Sequence, residues 1–192
     1  ILTELDGLTE KCHAGYEDYN FFIASNEVRN FVWNLFAPHY VEMVKARAYN
    51  TEKKFSKLEQ QAAWFTLHKC MRSILLLLAP ICPFITDHVW QRLYSSSSIH
   101  KTRFPARPRK RLKSTQELTN TVVGFNSLIW KFKKDRKMPL NSQLARVYGP
   151  VKIRTMKSDL ESMHRIGELK TGAPPGFAAQ DYEKTDEVFI LR

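Results

Sequence analysis

Apolar residues recur every three or four positions through most of the first half of the chain. Side chains at this spacing share one face of a helix, so each series predicts an amphipathic helix that buries that face. Long series separated by short breaks are typical of antiparallel bundles, and we therefore expect a mainly α fold. The series are Ile1, Leu5, Leu8, Cys12, Tyr16 and Tyr19; Phe21, Ala24, Val28, Phe31 and Leu35; and Trp64, Leu67, Met71, Ile74 and Leu78.

Prolines indicate where these helices stop or change. Pro38 is predicted to kink the second helix or to start a new one there, because proline disrupts an α-helix interior. Pro80 ends the third helix, and Pro83 suits the first turn of a fourth. Two rows of residues are equally possible for the buried face of that fourth helix. They are Phe84, His88 and Leu93, or Ile85, Val89 and Arg92.

The second half of the chain predicts a linker, one more helix and a small α/β part. Residues 99–114 lack periodicity and contain two prolines, which favours an extended linker across the bundle surface. A fifth helix is expected over about residues 115–137. Beyond it, residues 143–148, 151–155 and 187–191 are predicted strands, and residues 158–169 a helix with Ser158 as N-cap. The buried stripe of the fifth helix is Leu118, Val122, Phe125, Ile129 and Phe132. The predicted domains are a helical bundle over 1–98, the linker over 99–114, and a basic helix with a small α/β subdomain over 115–192.

The chain is strongly basic, and the excess is localised. Its net charge is +11. Between residues 100 and 137 there are twelve basic residues against two acidic ones, a local balance of 12 − 2 = +10. Such an excess favours a polyanionic partner, although a merely solvated face is the alternative. Lys131, Lys133, Lys134 and Lys137 are assigned to the outward face of the fifth helix. Beside them, Trp130 is more typical of a core or its rim than of a stacking platform.

Several classes of protein are disfavoured. The longest apolar run, residues 74–85, is broken by prolines and too short for a membrane span, and no signal peptide pattern occurs. No Cys or His spacing suggests a metal site, so a cytoplasmic protein with three reduced cysteines and no bound metal is expected. No nucleophile and base form a supported pair, so no catalytic residue is assigned. Because the amphipathic pattern starts at Ile1, we expect the chain to be excised from a longer protein.

Residues 78–90 read L-A-P-I-C-P-F-I-T-D-H-V-W. They resemble the "L-x-P-x-x-P-F-x-T-E-x-x-W" helix of the class I aminoacyl-tRNA synthetases for valine, isoleucine and leucine, with Asp87 in place of Glu. Three more motifs, in the order expected along the chain, resemble the same enzymes. Residues 31–45 resemble "F-x-W-x-x-F-x-x-x-Y-x-E-x-x-K", and residues 16–24 resemble "Y-x-x-Y/F-x-F-x-x-A". Residues 98–105 resemble "S-I-H-x-x-x-W-P", with Phe104 in place of Trp. Residues 131–140 are most similar to the valyl type. Isoleucyl and then leucyl enzymes are the next alternatives.

The resemblance implies a fold and a function. The fold is the anticodon-binding helical bundle of class I synthetases, with a small C-terminal α/β appendage. This region would hold the anticodon stem and loop of tRNA, most favourably a valine-accepting one. Its partners would be that tRNA and the rest of its own synthetase chain, and no membrane. Catalysis with ATP and Mg would belong to a domain that carries His-Ile-Gly-His and Lys-Met-Ser-Lys-Ser signatures, and neither occurs here. No cofactor is expected in this chain itself.

Polar, basic and aromatic residues, nearly all of them off the apolar stripes, are the candidate tRNA contacts, because RNA loops are bound through stacked bases and bonded base edges. Arg29, Arg72, Lys131 and Lys134 are favoured among them. The full candidate set is Tyr19, Asn20, Arg29, Asn30, Lys45, Arg47, Lys69, Arg72, Arg103, Lys131 and Lys134. Two other classes of function stay open: a helical scaffold that binds an acidic protein, and a small enzyme with an unrecognised site.

Overall fold

A computed structural model describes residues 1–107, 114–176, 182–185 and 188–191. The chain forms two compact units. One, the bundle unit, comprises residues 1–40 and the described residues that follow Ser56 up to Arg107. The other, the mixed unit, comprises residues 41–56 and the described residues from Ser114 onward. The mainly helical fold with a small α/β part is confirmed.

The bundle unit contains four α-helices. They are α1 (Leu2–Glu17), α2 (Phe21–Phe31), α4 (Lys57–Leu78) and α5 (Pro83–Leu93). Most of the first two predicted stripes form the core between α1 and α2, and the almost fully buried residues there are Leu5, Leu8, Cys12, Ala24 and Val28. Tyr19 and Phe21, which were also predicted in these stripes, are exposed. A Cβ at Gly15 would lie 3.1 Å from the Asn20 carbonyl oxygen, so the absence of a side chain allows this close approach.

The backbone around Pro38 is helical, but not α-helical. Residues Val32–Val41 form a π-helical segment that contains Pro38. In an α-helix the proline ring would clash with the carbonyl four residues earlier, and the wider π form is a known alternative at such points. The expectation that a new helix starts at Pro38 is therefore wrong. Helix α3 (Glu42–Tyr49) begins four residues later.

Helix α4 buries only part of the predicted stripe. Trp64 is 47% exposed and Met71 is 37% exposed, whereas Ala63 and Cys70 are buried with Ile74. Alanine and cysteine are small enough to let neighbouring helices approach closely, so they occupy the contact face. Trp64 and Met71, two large side chains of the predicted stripe, are left largely outside that face.

Neither predicted row of the fourth helix, α5, is its main buried face. Phe84 is 90% and Ile85 60% exposed, while Thr86 and Trp90 are buried. Trp90 packs in a cluster with Leu75 and Ile99. Thr86 sits in the first turn of α5 and donates its hydroxyl proton to the Cys82 carbonyl at 2.8 Å, which satisfies it where it is buried.

The mixed unit joins three α-helices to a four-stranded sheet among its described residues. The helices are α3, α6 (Ser114–Asp135) and α7 (Lys157–His164). The strands are β1 (Leu144–Gly149), β2 (Ile166–Thr171), β3 (Tyr182–Thr185) and β4 (Val188–Leu191), in the order β2-β1-β4-β3. Strands β1 and β2 are parallel and α7 lies in the connection between them, while β4 runs antiparallel to β1 and β3.

Two local predictions in this unit are wrong. Residues Val151–Met156 form a 3-10 helix, not a strand. The helix predicted over 158–169 ends at His164, has Met156 as its N-cap, and is followed by strand β2. Arg165 takes a left-handed conformation at the end of α7, which stops the helix and turns the chain into that strand.

The predicted buried stripe of α6 is confirmed for four of its five residues, and Leu118 is half-buried. Val122, Phe125, Ile129 and Phe132 are all buried. Phe125 lies so close to the end of β1 that a Cβ at Gly149 would come within 2.9 Å of its ring and of Ile153. Only glycine fits at that position without a shift of the two side chains.

The observed units divide the chain differently from the predicted domains. Residues 41–56, assigned to the bundle by the sequence, belong to the mixed unit, where α3 packs against α7. Arg47 of α3 forms an ion pair there with the buried Asp159 of α7. The segment 99–107 belongs to the bundle unit, and residues 108–113 of the predicted linker lie outside the described residues.

Candidate nucleic-acid interface

The junction of α1 and α2 displays the first group of candidate residues. Tyr19 is 84% exposed and has a positive φ of 55°. Asn20 is the N-cap of α2, and its side chain accepts a hydrogen bond from the Ile23 amide at 3.3 Å, so it also has a structural role. Arg29 and Asn30 are exposed on α2. Arg29 forms no ion pair with any residue in the described part of the chain, which leaves its charge available to an anion.

Lys69 and Arg72 are exposed on α4. The Arg72 guanidinium lies over two rings of the next helix segment, 5.1 Å from the centroid of Trp90 and 5.5 Å from that of Tyr94. Cation–π contacts of this kind hold the flat guanidinium in one orientation while its charge stays at the surface. The arrangement suits a phosphate or a base face.

Arg103 is exposed in the extended segment that crosses the bundle unit. Its neighbour Phe104 makes edge contacts with His13 and Tyr16, at ring centroid distances of 5.0 and 5.6 Å. A ring nitrogen of His13 lies 2.7 Å from the Pro105 carbonyl oxygen. Phe104 therefore anchors the segment to the bundle and is not displayed as a stacking surface, whereas Arg103 is displayed.

Asp87 holds the start of the same segment. Its carboxylate accepts hydrogen bonds from the Ile99 amide and from the Gln91 side chain, both at 2.7 Å. The Ile99 amide is the main reason that the pKa of Asp87 lies below its ordinary value, with the Ser98 hydroxyl next. The motif residue Asp87 thus positions the chain that leads to Arg103.

The two candidates on α3 are engaged within the mixed unit. Lys45 forms an exposed ion pair with Glu42 at 2.7 Å. Arg47 donates from Nε to Asp159 Oδ1 at 3.0 Å, and a second guanidinium nitrogen bonds the other carboxylate oxygen. A bidentate pair to a buried carboxylate fixes Arg47 in place. We therefore omit Arg47 from the proposed contacts.

Lys131 and Lys134 lie at a cleft that we call the lysine cleft. Both are exposed on α6, and neither forms an ion pair with the residues that the structure describes. The cleft has a volume of about 750 Å³. Its lining consists of Trp130, Lys131, Lys134, Lys137, Met138, Pro139 and Leu140.

Lys133 does not face outward, so its predicted orientation is wrong. It is fully buried, and its ammonium donates to the carbonyl oxygens of Leu140, Ser142 and His164 at 2.7 to 2.8 Å. Burial lowers the pKa of Lys133 from its ordinary value of 10.5. Three acceptors match the three protons of an ammonium, so Lys133 joins α6, the following loop and the end of α7.

Part of the predicted basic surface is neutralised or lies elsewhere. Arg107 pairs with Glu17, and Arg136 pairs with Glu183 while lying 4.0 Å from the Phe132 ring centroid. Arg109, Lys110, Arg111 and Lys113 lie outside the described residues. The basic side chains of the 100–137 stretch that are exposed and form no described ion pair are Lys101, Arg103, Lys131, Lys134 and Lys137.

The candidate residues are divided between the two units. The bundle unit carries Tyr19, Asn20, Arg29, Asn30, Lys69, Arg72 and Arg103, and the mixed unit carries Lys45, Arg47, Lys131 and Lys134. In the described ranges, no group of three or more His, Cys, Asp or Glu side chains is placed to hold a metal ion. None of the described helices is long and apolar enough to span a membrane.

Sequence reasoning missed the apolar floor of the lysine cleft, formed by Met138, Pro139 and Leu140. Leu140 is 60% exposed. The signal was present, because a Met-Pro-Leu run directly after a basic helix end places apolar side chains beside lysines. The sequence did not show that the loop would fold back toward the helix.

A helical bundle with displayed cations, joined to a basic α/β unit, has the features of an RNA-binding module. Residues 1–148 match the family model described as the anticodon-binding domain of tRNA ligase. The chain belongs to this family.

Curated relatives agree with that assignment. The chain is 35% identical over 90% of its length to a valine–tRNA ligase of Pyrobaculum aerophilum, and 36% identical over 91% to one of Aeropyrum pernix. A valine–tRNA ligase of Haloarcula marismortui is 36% identical over 77% of the chain. The chain spans only 22%, 22% and 15% of these three relatives.

Proposed function

We propose that this chain is the anticodon-recognising region of a valine–tRNA ligase and that its ligand is a valine-accepting tRNA. In this proposal the rest of the synthetase is its partner in the same chain, and the protein works in the cytoplasm. Activation of valine with ATP and Mg, and its transfer to tRNA, would take place in a catalytic domain outside the 192 residues. This chain would contribute affinity and the choice of tRNA.

One observation carries the proposal: each unit displays exposed cations that form no ion pair with a described residue. Arg29, Arg103, Lys131 and Lys134 are exposed and form no ion pair within the ranges that the structure describes. Phosphates are the complementary anions of RNA, and their neutralisation supplies most of the sequence-independent affinity. The exposed Tyr19 and the stacked Arg72 add planar surfaces of the kind that unpaired bases contact.

The test is filter binding of the purified chain to transcripts of valine, isoleucine and leucine tRNAs. The valine transcript should bind most tightly, and substitution of its anticodon should remove the preference. Affinity should fall steeply with salt, with a log–log slope of roughly −4 to −5 if about six phosphates are neutralised. Equal binding to all three transcripts, or to none, would contradict the proposal.

A matched pair of variants locates the contact surface. Arg29→Gln removes a displayed charge, whereas Lys11→Gln removes a charge on the same unit that already pairs with Glu27 at 2.8 Å. The first should weaken binding and flatten the salt slope by about 0.7 to 0.9. Lys11→Gln should change the affinity and the salt slope by much less.

A further inference from the structure

We propose that the lysine cleft of the mixed unit binds one unpaired nucleotide of tRNA, with the base on its apolar floor and the flanking phosphates at its rim. This inference rests on the proposed function, since it takes tRNA as the ligand. It adds a site and a mode of contact that the family assignment does not give.

The cleft has an apolar floor and a cationic rim. Trp130 is half-buried on one side, and Met138, Pro139 and Leu140 form the loop side. Lys131, Lys134 and Lys137 line the same cleft. None of the described residues that line it carries a carboxylate. An apolar surface between unpaired positive charges matches a ligand that is flat and apolar at its centre and anionic at its edges.

The floor is held in place before any ligand arrives. The Met138 amide donates to the Lys133 carbonyl at 2.8 Å, and the Ser142 amide donates to the Pro139 carbonyl at 2.9 Å. The buried Lys133 ammonium binds the Leu140 carbonyl at 2.7 Å. These bonds fix the loop backbone while Leu140 stays 60% exposed. A fixed apolar surface lowers the entropy cost of binding, because the loop is already ordered.

The three lysines lie three residues apart at the C-terminal end of α6. Lys131 and Lys134 are within the helix, and Lys137 comes just after it. At about 100° per residue, a spacing of three keeps the first two on neighbouring parts of the helix surface. Lys137 follows at a positive φ of 54°, where the helix ends and the chain turns into the floor. Flexible ammonium groups at this spacing suit successive phosphates, which need charge but no fixed geometry.

An unpaired nucleotide fits this chemistry better than duplex RNA. In a duplex the base faces are stacked inside and cannot reach an apolar floor, whereas a loop or end can turn a base outward. An acidic peptide would satisfy the lysines but would place no planar apolar group on the floor. A nucleotide supplies both the anion and the face.

The first experiment is photocrosslinking of the unaltered chain to valine tRNA transcripts that carry 4-thiouridine. Peptides containing residues 130–140 should be among the crosslinked products. Polyglutamate added in small excess over the tRNA should not prevent these crosslinks. Crosslinks confined to other residues, under conditions where the chain binds the tRNA, would overturn the inference and leave the proposed function standing. Failure to bind any tRNA would remove both.

The second experiment tests the apolar floor of the lysine cleft separately from the lysines at its rim. The variant Met138→Ser with Leu140→Ser removes the apolar floor without changing charge, and its control is Val151→Ser, which alters a 64% exposed valine of the same unit. The floor variant should bind about fivefold more weakly or worse, the low end for loss of a base contact, with the salt slope unchanged. The control should bind as the unaltered chain does.

For the rim, Lys131→Gln and Lys134→Gln should each lower the salt slope by about 0.7 to 0.9, whereas Lys53→Gln, an exposed lysine of the same unit, should not.

Thermal unfolding of each variant checks that the fold is retained. If the floor variant does not fold, the crosslinks of the unaltered chain decide. Equal affinities for the floor variant and Val151→Ser would overturn the proposed base contact.

Discussion

Replacement of Lys133 by methionine should destabilise the mixed unit without touching the displayed charges. Methionine has a similar length and fills a buried site, but it cannot donate hydrogen bonds. The carbonyl oxygens of Leu140, Ser142 and His164 would lose a partner that now lies at 2.7 to 2.8 Å. The variant therefore tests how much the three hydrogen bonds of the Lys133 ammonium stabilise the mixed unit.

The magnitude follows from two opposing effects. An unsatisfied buried carbonyl costs about 1–3 kcal/mol, so three of them would cost up to about 9 kcal/mol. Against this, the variant no longer has to bury an ammonium, which costs several kcal/mol, and a loop carbonyl can turn toward water. We expect a net loss of about 2–4 kcal/mol in the free energy of unfolding, within the range of other mutations that orphan buried polar groups.

Hydrogen exchange measured by mass spectrometry is the suitable assay, because the chain has two units and a single unfolding midpoint would mix them. Protection should fall in peptides that cover residues 140–144 and 164–171. Lys134→Met is the control, since Lys134 is exposed and should change stability by less than about 0.5 kcal/mol. Equal protection in the two variants would refute the role assigned to Lys133.

Three further predictions concern other contacts. The pKa of Asp87 is lowered from 3.8, mainly by its hydrogen bond with the Ile99 amide. This bond should therefore contribute fully to the free energy of unfolding above pH 3.8, and the contribution should be lost as the pH falls through the lowered pKa. Asp87→Ala should lack this acid-dependent part of stability in pH-resolved denaturation, and an unchanged acid profile would argue against it. Arg47→Met should destabilise the mixed unit by about 1–3 kcal/mol in denaturant titration, because Asp159 would be left buried without that partner. A loss no larger than that of Lys45→Met would contradict this. Cys82 is exposed, so it should react with a thiol reagent at once, while the two buried thiols, whose pKa values are raised to about 11, should react only on unfolding. Rapid reaction of three thiols in the native protein would count against the assigned burial.

In the bundle unit, hydrophobic periodicity alone predicts the buried face of some helices but not of others. The stripes of α1 and α2 were predicted because each helix has one clearly apolar face. Helix α4 was harder, since Ile74 to Leu78 is apolar all round and gives no preferred face. There the small residues Ala63 and Cys70 determine which side packs, and a hydrophobicity pattern gives them less weight than Trp64.

The mixed unit was less predictable because its elements depend on contacts between distant residues. Residues 151–155 alternate as a strand would, but they follow β1 too closely to return to the sheet and form a 3-10 helix instead. Arg47 and Asp159 are 112 positions apart, and nothing in either neighbourhood reveals that they pair. The candidate site was predicted as a set of residue types, and its division between two units was not.

The lysines of α6 show that the same residue type can serve opposite purposes, and that helix geometry distinguishes them. Ile129 is fully buried, and at about 100° per residue a position four further on lies only about 40° away from it. Lys133 is that position, so the apolar stripe itself places it toward the core. Lys131 lies about 160° from Ile129 by the same reckoning, and Lys134 about 140°. A count of basic residues treats the three as equal, whereas the geometry assigns one to holding the loop and two to the surface. The orientation of each lysine relative to the stripe, and not the total charge, therefore decides which of them can meet a phosphate.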